Sequence, residues 1–325
     1  MDKVKVCVIG VGFWGRNHAR VFSEINRAEL VAICDINLER ASTIAKRYNA
    51  QWYIDYEEML KKEKPDAVTI CTPTVTHAEI ALNAMKYNVN LLIEKPLASN
   101  TKEALKIIER ARERNLKVMV GFIERFNPGV ERVRRLIMSE KIGKLVLIST
   151  RRVSRWPQRI GDVGVIKDLA IHDIDIVRYL TNDEPLEVYA IAGSLRHTYE
   201  DYANIVMKLG NGVVAFIEAN WLTPRKIRSL TITGSEGVIT LDYITQEITI
   251  ENSEYLIKPS VKWEEPLKRE LMHFVEAISE DKNFKVTAID GYKALLIAEA
   301  SLASATTGKP VKVKYKEGVA NDSNG

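Results

Sequence analysis

The sequence predicts an α/β chain in which a doubly wound parallel sheet is followed by an α+β region with a large, mainly antiparallel open sheet. Short apolar runs alternate with helical patterns up to Gly121, and longer strands with polar–apolar alternation dominate after it. The length of 325 residues fits two domains. We therefore expect a first domain over 1–121, a second over 122–316, and a disordered polar tail over 317–325.

The predicted strands of the first domain are rich in Val and Ile and lack polar alternation, which is typical of parallel strands buried on both faces. They cover residues 4–9, 30–34, 67–71, 90–93 and 118–120, with a weaker run at 51–53. Helical patterns separate them at 16–25, 38–48, 56–62, 78–87 and 102–114. Strands and helices in this order predict right-handed crossovers in one sheet.

The second domain reads differently because its strands alternate between polar and apolar residues and are separated by Gly-containing turns. Strands are predicted at 145–154, 187–194, 202–209, 213–220, 226–233, 238–242 and 247–251. Helices are predicted at 128–139, 168–180, 265–279 and 290–306.

Composition excludes several classes of function. A net charge of +4 is too small for a dedicated nucleic-acid binder. No apolar run is long enough to span a bilayer, and the N-terminus has no pattern of a secretory signal. Cys7, Cys34 and Cys71 form no disulfide framework, and we expect them to be small core residues. A cytoplasmic protein is the expectation.

A glycine-rich motif directly follows the first strand and opens the first helix. In Gly10-Val11-Gly12-Phe13-Trp14-Gly15, the glycines allow a tight turn, close approach to a pyrophosphate, and close helix–strand packing. Asp35 closes the second strand, where its carboxylate would bond the ribose hydroxyls and repel a 2′-phosphate. The motif predicts a Rossmann domain that binds NAD rather than NADP, and Arg40 is expected to be an ordinary surface arginine. The predicted cofactor-binding residues here are Gly10, Gly12, Phe13, Trp14, Gly15 and Asp35.

Two further strands end in segments that should face the cofactor cleft, since ligands bind beyond the carboxyl ends of parallel strands. These segments are Thr72-Pro73 and Glu94-Lys95-Pro96. A lysine fixed by a following proline at a strand end is atypical of a solvated surface charge. The predicted cofactor-binding set is completed by Thr72, Pro73, His77, Glu94 and Lys95.

With these motifs and Asp168-Leu169-Ala170-Ile171-His172 followed by Asp175, nearly the whole chain resembles the glucose–fructose oxidoreductase / inositol dehydrogenase family. The resemblance implies that Lys95, Asp168 and His172 line the substrate pocket beside the nicotinamide as catalytic residues. The chain departs from the family where many members have a glycine-rich run, since it has Val163-Gly164-Val165-Ile166-Lys167 and Ala170 there.

Helical spacing supports these roles. Asp168, His172 and Asp175 are spaced i, i+4 and i+7, so they should share one helix face, where Asp168 can hydrogen-bond the His172 ring. The alternative is an N-capping aspartate and a satisfied helix histidine. A metal site is not expected, because no cysteine joins the cluster.

The predicted reaction is oxidation of a secondary sugar hydroxyl with hydride transfer to NAD. The base is His172 or Lys95. We favour His172, because a histidine ring ordinarily accepts a proton near neutral pH, whereas a lysine needs burial or a positive neighbour to do so. Lys95 would then donate a hydrogen bond to the same oxygen.

The substrate prediction rests on polar and basic segments of the second domain. Arg125 and Asn127 leave the parallel sheet at its carboxyl edge, and the basic run 151–159 includes Trp156. Its arginines would grip a diphosphate while Trp156 stacks a base, although a solvated or subunit-facing run of charges is the alternative. The predicted substrate-binding residues are Lys95, Arg125, Asn127, Arg155, Trp156, Asp168 and His172.

These segments together are similar to those of UDP-N-acetylglucosamine 3-dehydrogenases, which implies oxidation of this UDP-sugar at C3. The alternatives are an inositol or free-sugar dehydrogenase and a non-catalytic NAD(H) sensor. We also expect a homo-dimer or homo-tetramer, as in the family. One face of the broad sheet is left to be buried, and Val213, Ala215 and Ile217 alternate on one side of a predicted strand.

Overall fold

The computed structural model describes residues 3–157 and 162–316. Within that part the chain forms two compact units. The first comprises the described residues up to Gly121 together with Leu267–Tyr292, and the second comprises the described parts of Phe122–Pro266 and the described residues from Lys293 on. The tail expected to be disordered, 317–325, lies outside the described residues.

The first unit is built on a six-stranded parallel sheet. Its strands are β1 (Val4–Ile9), β2 (Ala28–Cys34), β3 (Gln51–Tyr53), β4 (Ala67–Ile70), β5 (Asn90–Ile93) and β6 (Val118–Val120). The spatial order is β3-β2-β1-β4-β5-β6, so the direction of strand addition reverses between β1 and β4. A crevice beyond the carboxyl ends of strands at such a reversal is the usual ligand site of an open α/β sheet.

Five helices follow the strands in alternation: α1 (Phe13–Glu24), α2 (Leu38–Arg47), α3 (Tyr56–Glu63), α4 (His77–Ala84) and α5 (Thr101–Glu113). Side chains of Asn37, Asp55 and Asn100 accept backbone N–H groups at the starts of α2, α3 and α5. No side chain caps α4, and none caps α1, which Gly12 precedes. The first N–H groups of α1 are therefore left for another acceptor.

A segment from late in the chain completes the first unit. Helix α8 (Pro266–Ser279) places the ring of Phe274 6.4 Å from that of Phe22 and 5.3 Å from that of Phe284. An added Cβ on Gly291 would lie 2.8 Å from Val120 Cγ2, so the chain packs closely on the sheet edge there. The first unit is thus discontinuous in sequence.

The second unit contains a nine-stranded sheet in the order β14-β13-β12-β11-β7-β10-β9-β8-β15. The strands are β7 (Leu145–Arg155), β8 (Pro185–Gly193), β9 (Tyr202–Leu209), β10 (Val214–Asn220), β11 (Leu222–Gly234), β12 (Val238–Asp242), β13 (Ile248–Glu251), β14 (Leu256–Ile257) and β15 (Val311–Lys312). Strands β7 and β10 pair in parallel, and the other pairs are antiparallel. The predicted fold class is confirmed.

One face of this sheet is covered by α6 (Pro128–Met138) and α7 (Ile171–Thr181), while α9 (Ala288–Thr307) packs beside β8 through Ser304. On β10, Ala215 and Ile217 lie on the covered face and are buried, as is Val213. The prediction that these three residues form an oligomer face is wrong, because they are buried within the second unit. The period of two along the strand places Phe216 on the opposite, outer face of the sheet. Phe216 is 43% exposed there.

The predicted helix 168–180 begins differently from an ordinary α-helix. Residues Ile166–Ala170 form a π-turn, and α7 starts only at Ile171. The Glu200 carboxylate accepts the N–H of Ile166 at 3.0 Å, and a Cβ on Gly164 would collide with that carboxylate at 2.1 Å. Such π-turns within helices are frequent at functional sites.

No helix among the residues that the structure describes has the length and apolar character needed to cross a membrane.

Candidate active site

The glycine turn has the geometry that the sequence predicted. Gly10 has a φ of +82°, which favours glycine, and an added Cβ on Gly15 would lie 1.7 Å from the carbonyl oxygen of Gly10. An added Cβ on Gly12 would meet no atom within 4 Å, so it faces open space. An uncapped helix N-terminus beside an open glycine fits a pyrophosphate.

Asp35 lies at the end of β2, beside this turn. Its Oδ2 accepts the N–H of Val11 at 2.9 Å and its Oδ1 accepts that of Asn37 at 2.9 Å. The Arg40 side chain is half-exposed, as expected, but its guanidinium also grips Asp35 through Nε at 3.0 Å and Nη2 at 2.8 Å. Ribose hydroxyls that bind Asp35 as predicted would share or displace these partners, among which the Arg40 side chain is half-exposed.

The two aromatic residues of the motif are the first two residues of α1. The Phe13 ring is 50% exposed and stands edge-on to the Trp14 ring at 5.6 Å. Arg16 lies over the Phe13 ring, 5.3 Å from its centroid. The cofactor-binding role of Phe13 and Trp14 stays a prediction.

The segments after β4 and β5 are tied together by His77. Its ring nitrogens lie 2.9 Å from the Pro96 carbonyl oxygen and 2.9 Å from the Thr72 carbonyl oxygen. His77 is buried, and its ring contacts the backbone of these two turns. Thr72 and Pro73 remain accessible at the edge, and Lys95, half-buried, is joined to Pro96 by a cis peptide bond.

A second buried histidine lies beneath the Glu94-Lys95-Pro96 turn and was missed by sequence reasoning. His18 on α1 lies 3.0 Å from Thr69 Oγ1 through Nδ1 and 3.0 Å from Glu94 Oε1 through Nε2. The Glu94 carboxylate, predicted to bind cofactor, is thus held by the protein itself. A titratable residue on the buried face of a helix, three positions after Gly15, was the available signal.

In the second unit, Asp168 lies in the π-turn and His172 in the first turn of α7, and both are buried. The predicted shared face assumed regular α-helical spacing from residue 168, and the π-turn corrects that assumption. The His172 ring lies edge-on to the Phe122 ring, with centroids 6.3 Å apart. The catalytic roles of Asp168 and His172 stay predictions.

Asp175, three residues further on, is bound by Arg125. The guanidinium donates through Nε to Oδ2 at 2.8 Å and through Nη2 to Oδ1 at 2.6 Å, and both side chains are buried. Asn127 is fully buried, where it caps α6 through the Gly129 N–H and donates to the Tyr243 carbonyl. The structure therefore gives Arg125 and Asn127 internal partners, in place of the expected reach into a cleft.

The basic run also divides its residues between faces, because 151–155 belongs to strand β7 and not to a loop. Arg151 pairs with Glu218 on the outer face at 2.8 Å. Arg152 is buried on the inner face, where it binds Asp173 twice, at 2.8 and 3.1 Å, and Glu124 at 2.9 Å. Arg152 is therefore held in a buried ionic cluster, and Arg151 lies in an exposed ion pair on the other face. Gln158 and Arg159 lie outside the described residues.

Arg228, on the neighbouring strand β11, belongs to the same buried cluster. It lies opposite Arg152 in the register of β11 and β7, and its guanidinium lies 3.5 Å from the Glu124 carboxylate. Burial alone would raise the pKa of the Glu124 carboxyl, but Arg152 and Arg228 lower it below its ordinary value. Opposite charges compensate one another here, as a buried ionic cluster requires.

At the end of β7, Arg155 is exposed and Trp156 begins an aromatic cluster that the sequence did not reveal. The Trp156 ring lies 4.9 Å from His197 and 5.3 Å from Trp221, both edge-on, and His197 lies 5.6 Å from Tyr199. Trp221 is buried, whereas the Trp156 ring is partly exposed and Tyr199 is 44% exposed. The cluster thus presents aromatic surface.

The first unit therefore carries a dinucleotide site, and the second carries a buried histidine and aspartate at a π-turn. Together they define the class of two-domain nicotinamide-dependent oxidoreductases.

Comparison with known proteins also indicates this class. Residues 4–122 match the model of an oxidoreductase family with an NAD-binding Rossmann fold, and residues 130–240 match the GFO/IDH/MocA C-terminal domain. The chain is 32% identical over 250 residues, 77% of each chain, to UDP-N-acetylglucosamine 3-dehydrogenase of Acidithiobacillus ferrooxidans. It is 30% identical to scyllo-inositol 2-dehydrogenase (NAD(+)) of Bacillus subtilis, over 97% of each chain.

Solved structures of other proteins are similar to this chain over most of its length. A structure of the Acidithiobacillus ferrooxidans enzyme has a TM-score of 0.87 and 29% identity, covering 94% of this chain and 99% of that one. Levoglucosan dehydrogenase in complex with NADH and levoglucosan has a TM-score of 0.90, covering 97% and 100% of the two chains, and at 22% identity it supports the fold alone. The chain belongs to the GFO/IDH/MocA oxidoreductase family, and the model that its first domain matches is that of an NAD-binding Rossmann fold, so its cofactor is NAD.

Proposed function

We propose that the protein oxidises a secondary hydroxyl of a sugar, and that the substrate is UDP-N-acetylglucosamine, oxidised at C3 to the 3-keto sugar. When bound, NAD accepts the hydride that leaves the carbinol carbon. The residues of the chain have two tasks: to remove the hydroxyl proton and to hold the sugar and its nucleotide in place.

His172 is proposed as the base and Lys95 as the hydrogen-bond donor to the same oxygen. An imidazole is the side chain best suited to accept a proton near neutral pH, and a positioned base contributes about 10²–10⁴-fold to rate. Asp168 is proposed to orient the ring. The support is the buried placement of His172 and Asp168 at the π-turn and the hydrogen bond from the backbone N–H of Lys95 to the Glu94 carboxylate.

The aromatic cluster of Trp156, His197, Tyr199 and Trp221 is the observation that carries the nucleotide part of the proposal. It adjoins the π-turn, because Glu200, next to Tyr199, bonds the N–H of Ile166. A nucleobase can stack on the exposed aromatic surface, and the exposed Arg155 can bind a diphosphate oxygen. The similarity to UDP-N-acetylglucosamine 3-dehydrogenase supports the same choice.

The alternative is an inositol or free-sugar dehydrogenase, which the similarity to several inositol dehydrogenases favours. A panel of UDP-sugars, inositols and hexoses with NAD and with NADP, followed by NADH absorbance, separates the two. Turnover with UDP-N-acetylglucosamine and a 3-keto product by NMR supports the proposal. Turnover with inositol or a hexose alone supports the alternative. NADH binding without turnover on any of them indicates a non-catalytic sensor.

The residue assignment has its own test. We expect Lys95→Ala and His172→Ala each to lower kcat by at least about 10²-fold with an unchanged far-UV spectrum. Trp156→Ala should raise KM for the UDP-sugar by about tenfold, since stacking contributes about 1–3 kcal/mol. Near-normal kcat in both of the first two variants would refute the assignment.

We also propose that the protein is a homo-oligomer that buries the outer face of the large sheet. Phe216, Val206 and Tyr189 form a cross-strand row on that face, and Phe216 is 43% exposed. A second copy of the same face is a self-complementary partner for such a surface.

A further inference from the structure

His18 joins three parts of the first unit. It lies on α1, the helix that follows the glycine turn, and is completely buried. Its Nδ1 lies 3.0 Å from the hydroxyl of Thr69 on β4, and its Nε2 lies 3.0 Å from Glu94 Oε1 at the end of β5. The His18 ring therefore connects α1, the helix that follows the glycine turn, to Glu94, the residue that precedes Lys95.

The Glu94 carboxylate is fixed on its other side as well. Its Oε2 accepts the backbone N–H of Lys95 at 3.3 Å. A Cβ on Gly121 would lie 3.1 Å from the Glu94 carboxyl carbon, which is tighter than an ordinary contact, so the backbone of Gly121 packs closely against the carboxylate. A residue that fixes the Glu94 carboxylate therefore also fixes the backbone N–H of Lys95.

A carboxylate that is almost fully buried needs a compensating charge or donor. A protonated His18 donates to Glu94 and to Thr69 together, and the Thr69 hydroxyl can donate onward to Cys71 Sγ at 3.6 Å. Burial alone would lower the pKa of His18, but the Cys71 sulfur and the Glu94 carboxylate raise it well above its ordinary value. The contacts of the ring and the direction of this shift both favour a protonated His18 beside the Glu94 carboxylate.

We propose that His18 is a positioning residue for Lys95: it compensates and orients the Glu94 carboxylate, which in turn anchors the backbone of Lys95. The inference rests on the proposed function, which gives Lys95 its catalytic role. The competing explanation is that His18 only fills the core between α1 and the sheet.

The test compares His18→Gln, Glu94→Gln and the double variant. His18→Gln leaves a buried carboxylate without its counter-charge, next to Lys95. We expect kcat to fall by about tenfold or more, because a displaced Lys95 costs rate, while the Kd for NADH stays within about twofold. The uncompensated carboxylate also stabilises the protonated lysine, so the basic limb of the kcat–pH profile moves to higher pH.

The double variant removes both charges and leaves two amides that can bond each other. We expect it to recover most of kcat and the wild-type position of the basic limb, since coupled residues are non-additive. Thr69→Val is the matched control, because it removes one partner of the ring but keeps the ion pair, and its pH profile should match the wild type. If His18→Gln does not fold, the double variant tests the inference by itself, and a kcat more than about tenfold below wild type would overturn it.

A core-filling role predicts another pattern: lower thermal stability of His18→Gln with kcat and pH profile unchanged, or a double variant that is no better than the single one. Either result overturns the inference. Lys95→Ala separates this failure from that of the proposed function. If Lys95→Ala turns over normally, the proposed function fails. If it is inactive while His18→Gln is normal, only the role of His18 fails.

Discussion

Arg125 offers a direct test of a structural assignment against a functional one. Sequence position suggested a substrate ligand, whereas the structure places two short bonds to the buried Asp175, at 2.8 and 2.6 Å. Hydrogen bonds to charged groups contribute about 1.5–3 kcal/mol each. Arg178 also approaches Asp175, at 3.5 Å, and would retain part of the compensation after Arg125 is removed. We therefore expect Arg125→Met to lower the free energy of unfolding by about 3 kcal/mol, at the low end for breaking a buried ion pair.

This loss converts into a shift of the melting temperature. With an unfolding entropy of about 2.1 cal/mol/K per residue, 3 kcal/mol corresponds to about 4–5 °C if all 325 residues unfold together. The shift is about 8 °C if the second unit unfolds alone. Differential scanning calorimetry of wild type and variant measures it, and KM for the sugar substrate is measured below the transition.

The double variant Arg125→Met/Asp175→Leu is the control, because replacing both partners by apolar side chains removes the uncompensated charge. It should recover most of the lost stability. A melting temperature of Arg125→Met equal to wild type, with KM raised tenfold or more, would show that Arg125 binds substrate and that our structural assignment is wrong.

Four further outcomes are expected. Gly12→Ala should fold with the wild-type melting temperature but lose NADH binding in a fluorescence titration, whereas Gly15→Ala, whose Cβ would collide with backbone, should lose both. Arg40→Ala leaves the Asp35 charge exposed to a 2′-phosphate, so the ratio of kcat/KM for NAD over NADP should rise about tenfold in steady-state assays. Burial would raise the pKa of Glu184, but its basic neighbours lower it below its ordinary value of 4.5. Its stabilising contribution is therefore present above that value and lost as pH falls through the folded pKa, so Glu184→Gln should flatten the acid limb of melting temperature against pH. Phe216→Glu should reduce the particle mass in sedimentation to that of one 36.8 kDa chain, and an unchanged mass would exclude the outer sheet face as the interface.

The fold was predictable because its signals are local. The strands 4–9, 90–93 and 118–120 have the predicted bounds, since a buried parallel strand is a short β-branched run that helical patterns delimit. The two-residue strands β14 and β15 were missed, because two residues carry no periodicity. The grouping of Leu267–Tyr292 with the first unit depends on long-range packing, which no local pattern encodes.

The candidate site was predictable where a motif fixes the backbone, and less so where partners decide the role of a side chain. The glycine turn and Asp35 follow from strand, turn and helix order alone. The sequence could not show that Arg152 faces the core while Arg151 faces outward, because their partners lie far away in sequence. The π-turn before α7 escaped prediction for the same reason, since the carboxylate that accepts the N–H of its first residue belongs to the distant Glu200.

The late segment that completes the first unit constrains how the chain is synthesised and dissected. A fragment ending at Gly121 holds every glycine and acid predicted to bind the cofactor, yet it exposes Phe22, which Phe274 contacts in the intact chain, and the sheet edge against which Gly291 packs. During synthesis, the core of the first unit therefore cannot close until more than 150 residues beyond Gly121 have been translated. Strands β7 to β14 of the large sheet are translated within that interval, whereas β15 follows it, so neither core can be completed before most of the other has been synthesised.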